Sequence, residues 1–92
     1  MADTPIQWTN AFKKDYKREK KKNANLDALL MPLLAKLVNN EPLEERHHDH
    51  LLTGDKKGYR DCHIKPDLLL IYQKPDLDTL ILIRLGSHAE IF

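Results

Sequence analysis

The sequence predicts an α+β domain: two N-terminal helices packed on one face of a small, mainly antiparallel four-stranded sheet, in the order β-α-α-β-β-β, with residues 1–92 forming one domain. Three observations predict it. Residues 26–40 carry leucines at helical spacing, whereas the second half of the chain reads as three apolar or alternating runs broken by the turns "KPD" and "PDLD". The loops between those three runs are short, which makes a meander the simplest topology. Helices gathered ahead of strands pack to one side of an antiparallel sheet.

Each element has its own signal. "PIQWT" alternates Ile6 and Trp8 and reads as a short strand with Trp8 in the core. In "TNAFKKDYKREKKKN", Thr9 or Asn10 is the expected N-cap. Ala11, Phe12, Asp15, Tyr16 and Glu19 share one helical face, with Phe12 and Tyr16 at i,i+4 as its core contact. "LDALLMPLLAKLVNN" puts Leu26, Leu29, Leu30, Leu33, Leu34, Leu37 and Val38 on a wide apolar face. Pro32 lies inside it and removes a backbone donor, so a kink or a split is expected there. "NNEPLEERHHDHLLTGDKK" reads as a polar loop, punctuated by Asn40, Pro42 and Gly54. "GYRDCHI" alternates, "LLLIYQK" suits a central strand, and "TLILIRLG" completes the sheet. Tyr59 and Tyr72 are expected as core or edge aromatics, and the outward residues of the last three strands as the surface left for a ligand.

At 92 residues with 41% hydrophobic content, the chain can fill one layered core. The formal net charge of +1 hides an asymmetry. Residues 13–22, "KKDYKREKKK", hold seven basic and two acidic residues, a local charge of +5. A basic face on a near-neutral protein suits a polyanion or an acidic partner, or is simply solvated. A lone Cys62 allows no internal disulfide, fits a reducing cytoplasm, and sits where a small buried apolar side chain is expected. "MADTPIQWTN" has no apolar h-region, and "LLMPLL" is too short to span a bilayer, so no membrane association is expected. No Gly-rich phosphate loop and no G-x-S-x-G motif is present.

The chemistry-bearing residues are His50, His63, Asp67 and His88, which the predicted topology allows to meet at one end of the sheet. Imidazoles titrate near neutrality, so one takes a proton while another gives one. RNA cleavage through the 2'-hydroxyl needs that pair of transfers, and a cation to steady the charge growing on the phosphate. Lys56, Lys57, Arg60 and Arg84 are the cations at hand, arginine having the better fork for phosphate. Phe92 offers a face for a base. "HHDH", residues 47–50, looks like a metal clump, but it lacks a second ligand cluster and adjacent histidines chelate poorly, so neither metal nor cofactor is expected.

The stretch "DHLLTGDKKGYRDCHIKPDLLLIY" followed by "IRLGSHAEIF" resembles the YafQ branch of the RelE/ParE toxin superfamily. The shared pattern is D-H-x-L, then G-x-x-K-G-Y-R-D-x-H-I-x-P-D, then L-I-Y, and finally R-x-G-S/T-H-A-x-x-F. The resemblance implies a compact sheet with two helices on one face and an active cleft on the other. It implies a bacterial cytoplasmic toxin of a type II toxin–antitoxin system, a ribosome-dependent mRNA endonuclease needing no metal. A cognate, DinJ-like antitoxin would hold it inactive. His50, His63, Asp67 and His88 match the acid/base set, Phe92 the C-terminal aromatic, and Arg84 a position that would hold the scissile phosphate. Lys57 and Arg60 complete the expected substrate contacts. The run Lys13, Lys14, Lys17, Arg18, Lys20, Lys21 and Lys22 would dock on ribosomal RNA or lie under an acidic antitoxin segment. The superfamily also holds ParE-like members that act on DNA gyrase, the alternative reading, but those generally lack this histidine set. One position departs from the pattern: Leu68 stands where branch members commonly carry Trp, a change expected to bear on base stacking or codon preference.

Overall fold

The computed structural model describes residues 6–52 and 58–91. Two helices, α1 (Asn10–Lys22) and α2 (Leu26–Val38), cover one face of a five-stranded sheet. Its strands are β1 (Ile6–Trp8), β2 (His50–Leu51), β3 (Arg60–Lys65), β4 (Leu68–Asp76) and β5 (Thr79–Gly86), in the spatial order β1-β5-β4-β3-β2. β1 runs parallel to β5 and the other pairings are antiparallel. The expected α+β class and the β3–β4–β5 meander are both present. The two-residue β2, the 3-10 turn Glu45–His47 and the four-residue α3 (His88–Ile91) are additions to the expected order. Among the described residues no helix is long and apolar enough to cross a membrane.

Alternation along the strands sorts the two faces. Cys62, Ile64, Leu68, Leu70, Tyr72, Leu80 and Leu82 point toward the helices and pack with Phe12, Leu26, Leu30, Leu33, Leu34 and Leu37. Leu69 and Ile71 point the other way and pack with Ile91 of α3. Thr9 caps α1: its hydroxyl oxygen accepts from the Phe12 N–H at 3.1 Å, while its O–H lies 3.0 Å from the Leu82 and Ile83 carbonyls. Trp8 is half-buried and meets Phe12 edge-on, with ring centroids 5.0 Å apart. Pro32 does not split α2, which runs unbroken from Leu26 to Val38 with Pro32 on its exposed side. Cys62 is fully buried, and burial pushes its thiol well above the ordinary range, so it serves as core and not as nucleophile.

Candidate active site

The sheet register gathers the predicted residues. His63 pairs with Leu69, and Leu69 pairs with Gly86, so the three lie in one line across β3, β4 and β5. Asp67 sits two residues before Leu69, in the Pro66–Asp67 turn, and His88 two residues after Gly86, at the start of α3. On the other side of β3, β2 pairs His50 with Asp61. A register irregularity between His63 and Lys65 marks this end of the sheet, where such bulges re-aim side chains.

The outcome is a row of imidazoles and carboxylates. His50 Nε2 lies 3.3 Å from Asp61 Oδ1, and His63 Nε2 lies 4.0 Å from the same oxygen. The His63 and His88 rings stand 5.7 Å apart, edge to face, and His88 Nδ1 is 3.8 Å from Asp67 Oδ1. All four expected residues are therefore brought together. Asp61, which joins the first two, was not among the residues singled out from the sequence. Its side chain is only 5% exposed, and Oδ1 has no hydrogen-bond partner. The two imidazoles approach it outside hydrogen-bond geometry. The signal for it was the D of "YRDCH", one strand step from His63 on the same face.

"HHDH" splays instead of chelating. His47 Nδ1–H donates to the His63 carbonyl at 2.7 Å, and the His48 ring stands 5.4 Å from that of His63. Asp49 accepts from the Tyr72 hydroxyl at 2.5 Å and from Arg60 Nε at 3.3 Å, and His50 turns to Asp61. Asp49 thus fixes the residue beside His50 to the sheet. Burial, with the Asp49 hydrogen bond added, holds the Tyr72 phenol well above its ordinary range, so it remains a donor.

A second network holds His88. Glu90 makes one half of a capping box with Ser87, whose N–H donates to Glu90 Oε1 at 3.0 Å. That bond, with Lys22 and Arg18 beside it, keeps the Glu90 carboxyl down at about 2. Arg18 Nε reaches Glu90 at 3.0 Å, Nη1 donates to Asp15 at 2.9 Å, and Nη2 donates to the Leu85 carbonyl at 2.9 Å. Gly86, at φ +158°, makes room for this brace, since a Cβ there would stand 2.7 Å from Arg18 Nη2.

The cations expected at the substrate divide. Arg84 Nε and Nη2 donate to buried Asp15 at 2.6 and 3.3 Å, tying β5 to α1. Burial alone would raise the Asp15 carboxyl, but hydrogen bonds from Arg84, the Leu85 N–H and Arg18 bring it below the ordinary value. Arg60 is engaged by Asp49 and Tyr72. Alternation on β3 puts Arg60 on the helix-side face with Tyr72, opposite Asp61 and His63, so it does not join the row as expected. Phosphate contact by Arg84 would fall to its remaining N–H groups. Lys57 and Phe92 lie outside the described residues. On α1, Lys13, Lys14, Lys17 and Lys21 project as an exposed set. Arg18, Lys20 and Lys22 are tied to Asp15, Glu19, Asp27 or Glu90. Leu68, the departure from the branch pattern, is buried in the core beneath the helices.

Comparison with known proteins agrees with this fold. Residues 4–92 match the family described as the bacterial toxin of type II toxin–antitoxin system, YafQ. The mRNA interferase toxin YafQ of Escherichia coli (strain K12) is 38% identical over 93 residues, spanning 100% of this chain and 99% of that one. A copper-bound mutant toxin from Helicobacter pylori superposes with a TM-score of 0.90 at 39% identity, over 97% of this chain and 99% of that one. The toxin in the E. coli DinJ-YafQ toxin-antitoxin complex superposes with a TM-score of 0.86 at 37% identity, over 99% of each chain.

Proposed function

Because the chain belongs to the YafQ family of bacterial type II toxins, we propose that it is an endoribonuclease that cuts mRNA in the ribosomal A site and is restrained by a cognate antitoxin. The relative from E. coli is an mRNA interferase, and another solved relative is bound to the antitoxin DinJ. The observation that carries the reading is the row His50–Asp61–His63–His88–Asp67, three imidazoles and two carboxylates in sequence along one end of the sheet.

In the proposed reaction one imidazole takes the proton of the 2'-hydroxyl, whose oxygen attacks the adjacent phosphorus. The bond to the 5'-oxygen breaks as a second group protonates that leaving oxygen, giving a 2',3'-cyclic phosphate and a 5'-hydroxyl end. Asp61 and Asp67 stand beside the imidazoles and offset positive charge that develops during the two transfers. Base and acid are assigned to the row and not to single histidines. Arg84 is the proposed phosphate contact, through the N–H groups Asp15 leaves over, with Lys57 and Phe92 as further substrate contacts. The exposed lysines of α1 supply docking to ribosomal RNA, an interaction that weakens steeply with salt. Both proton-transfer partners are already in the row, so the reaction is proposed to run without a metal ion.

The test is primer extension on a defined mRNA with and without programmed ribosomes, in EDTA and in its absence. Wild type is expected to cut only on ribosomes and equally well in chelator. His63→Ala and His88→Ala are each expected to lose about 10²-fold or more, as removal of a general acid or base does. Unchanged cutting in both variants would overturn the assignment. Absence of any cut by wild type would turn attention to gyrase inhibition.

A further inference from the structure

Beside the histidine row runs a groove of about 620 Å³ that the reaction above does not use. One wall is the outer side of α2, where Leu29 and Pro32 remain exposed. The other is made by His47 and His48 at the 3-10 turn and by Lys65 and Pro66 at the end of β3. His63 lines the groove and also stands in the row, so the two spaces share a boundary. Lys36, Arg46 and Lys65 face it, and Glu44 is the only carboxylate among the described residues that line it. The volume falls in the ~300–1,000 Å³ range of ordinary ligand sites.

The turn that forms the outer wall is held in place. His47 is bonded to the His63 carbonyl. His48, at φ +45° and ψ +47°, occupies the left-handed region, with its ring edge-on to His63. Such a conformation in a non-glycine residue persists where the surroundings enforce it, and it collects at ligand sites.

We infer that this groove holds the nucleotide of the single-stranded RNA next to the scissile bond, with its base between the His48 imidazole and the Leu29–Pro32 side of α2. Lys65 and Arg46 then take its phosphate. The inference rests on the endonuclease reading and extends it, making His48 and Leu29 determinants of which base is accepted beside the cut. An apolar wall with a cationic rim suits a π-faced base carried on a charged strand. The cations would also draw an acidic protein segment. Continuity with the row favours RNA, because the strand being cut must run from one space into the other.

The test is titration of isotope-labelled wild-type protein with a 2'-O-methyl hexaribonucleotide, which binds but offers no 2'-hydroxyl to react. Resonances of Leu29, Lys36 and Lys65 are expected to move together with those of His63. Leu29→Glu and Arg46→Glu, both at exposed positions and checked for unchanged folding by circular dichroism, are expected to weaken binding roughly tenfold each. His48→Ala is expected to alter the base preference next to the cut on programmed ribosomes. RNA shifts confined to the row, with wild-type affinity in both charge variants, would overturn the inference. So would an antitoxin peptide that moves the groove resonances while RNA leaves them in place. If RNA fills the groove but wild type cuts nothing on ribosomes, the endonuclease reading falls and the groove assignment stands.

Discussion

Buried carboxylates are costly unless they meet a well-aligned donor, and Asp61 Oδ1 meets none in hydrogen-bond geometry, His50 Nε2 standing 3.3 Å away but misaligned. Its burial therefore costs the fold stability. Asp61→Asn preserves shape and removes the charge. It is expected to raise stability by about 1 kcal/mol in a denaturant titration and to lower the proposed ribosome-dependent cutting by roughly tenfold or more. Unchanged cutting would remove Asp61 from the machinery. Histidines announce themselves in a sequence because a fold needs few of them. An aspartate in an alternating strand looks like any outward polar residue, and only the β2–β3 pairing shows that it faces His50. Arg84 is the converse case. Its place on the last strand was legible, but its bond to Asp15 is not, because the two residues are 69 positions apart.

The long elements were legible because each carries a period: leucines every three or four residues in α2, alternation in β3, a continuous apolar run in β4. The short ones have no room for a period. β2 is two residues long and is steadied by the bonds that Tyr72 and Arg60 make to Asp49, the residue before it. α3 is four residues long and is held by Ser87, Glu90 and Arg18. Both present a histidine of the row, so the parts hardest to read are those that aim the candidate site's imidazoles. Tyr72→Phe removes the donor to Asp49 and leaves a buried ring of the same shape. The expected result is a loss of about 1–2 kcal/mol in stability and a fall in kcat with KM for programmed ribosomes little changed. An equal loss in both kinetic constants would mean that Tyr72 supports the whole fold and not the position of His50.

Across the whole molecule, α1 is fastened to the sheet by charges on its inner side while it offers lysines on the outer one. Asp15 and Glu90 both have carboxyls held below their ordinary values, Glu90 at about 2 against 4.5. In acid the unfolded chain therefore binds protons that the folded chain refuses. The stability these groups contribute is complete above about pH 4.5 and is lost as pH falls toward 2. Thermal unfolding followed through that window is expected to show a falling midpoint, and Glu90→Gln to flatten the fall; a midpoint independent of pH there would deny these carboxyls the role. The parallel pairing of β1 with β5, Ile6 to Leu80 and Trp8 to Leu82, acts on a different axis, that of time. As the chain is made, at ~5–20 residues per second, the first strand and helix wait on the order of several seconds for the strand that receives them. Asp15 emerges without Arg84, and α3 is the last element to appear. A nascent copy therefore has no assembled histidine row until β5 and α3 have both been made.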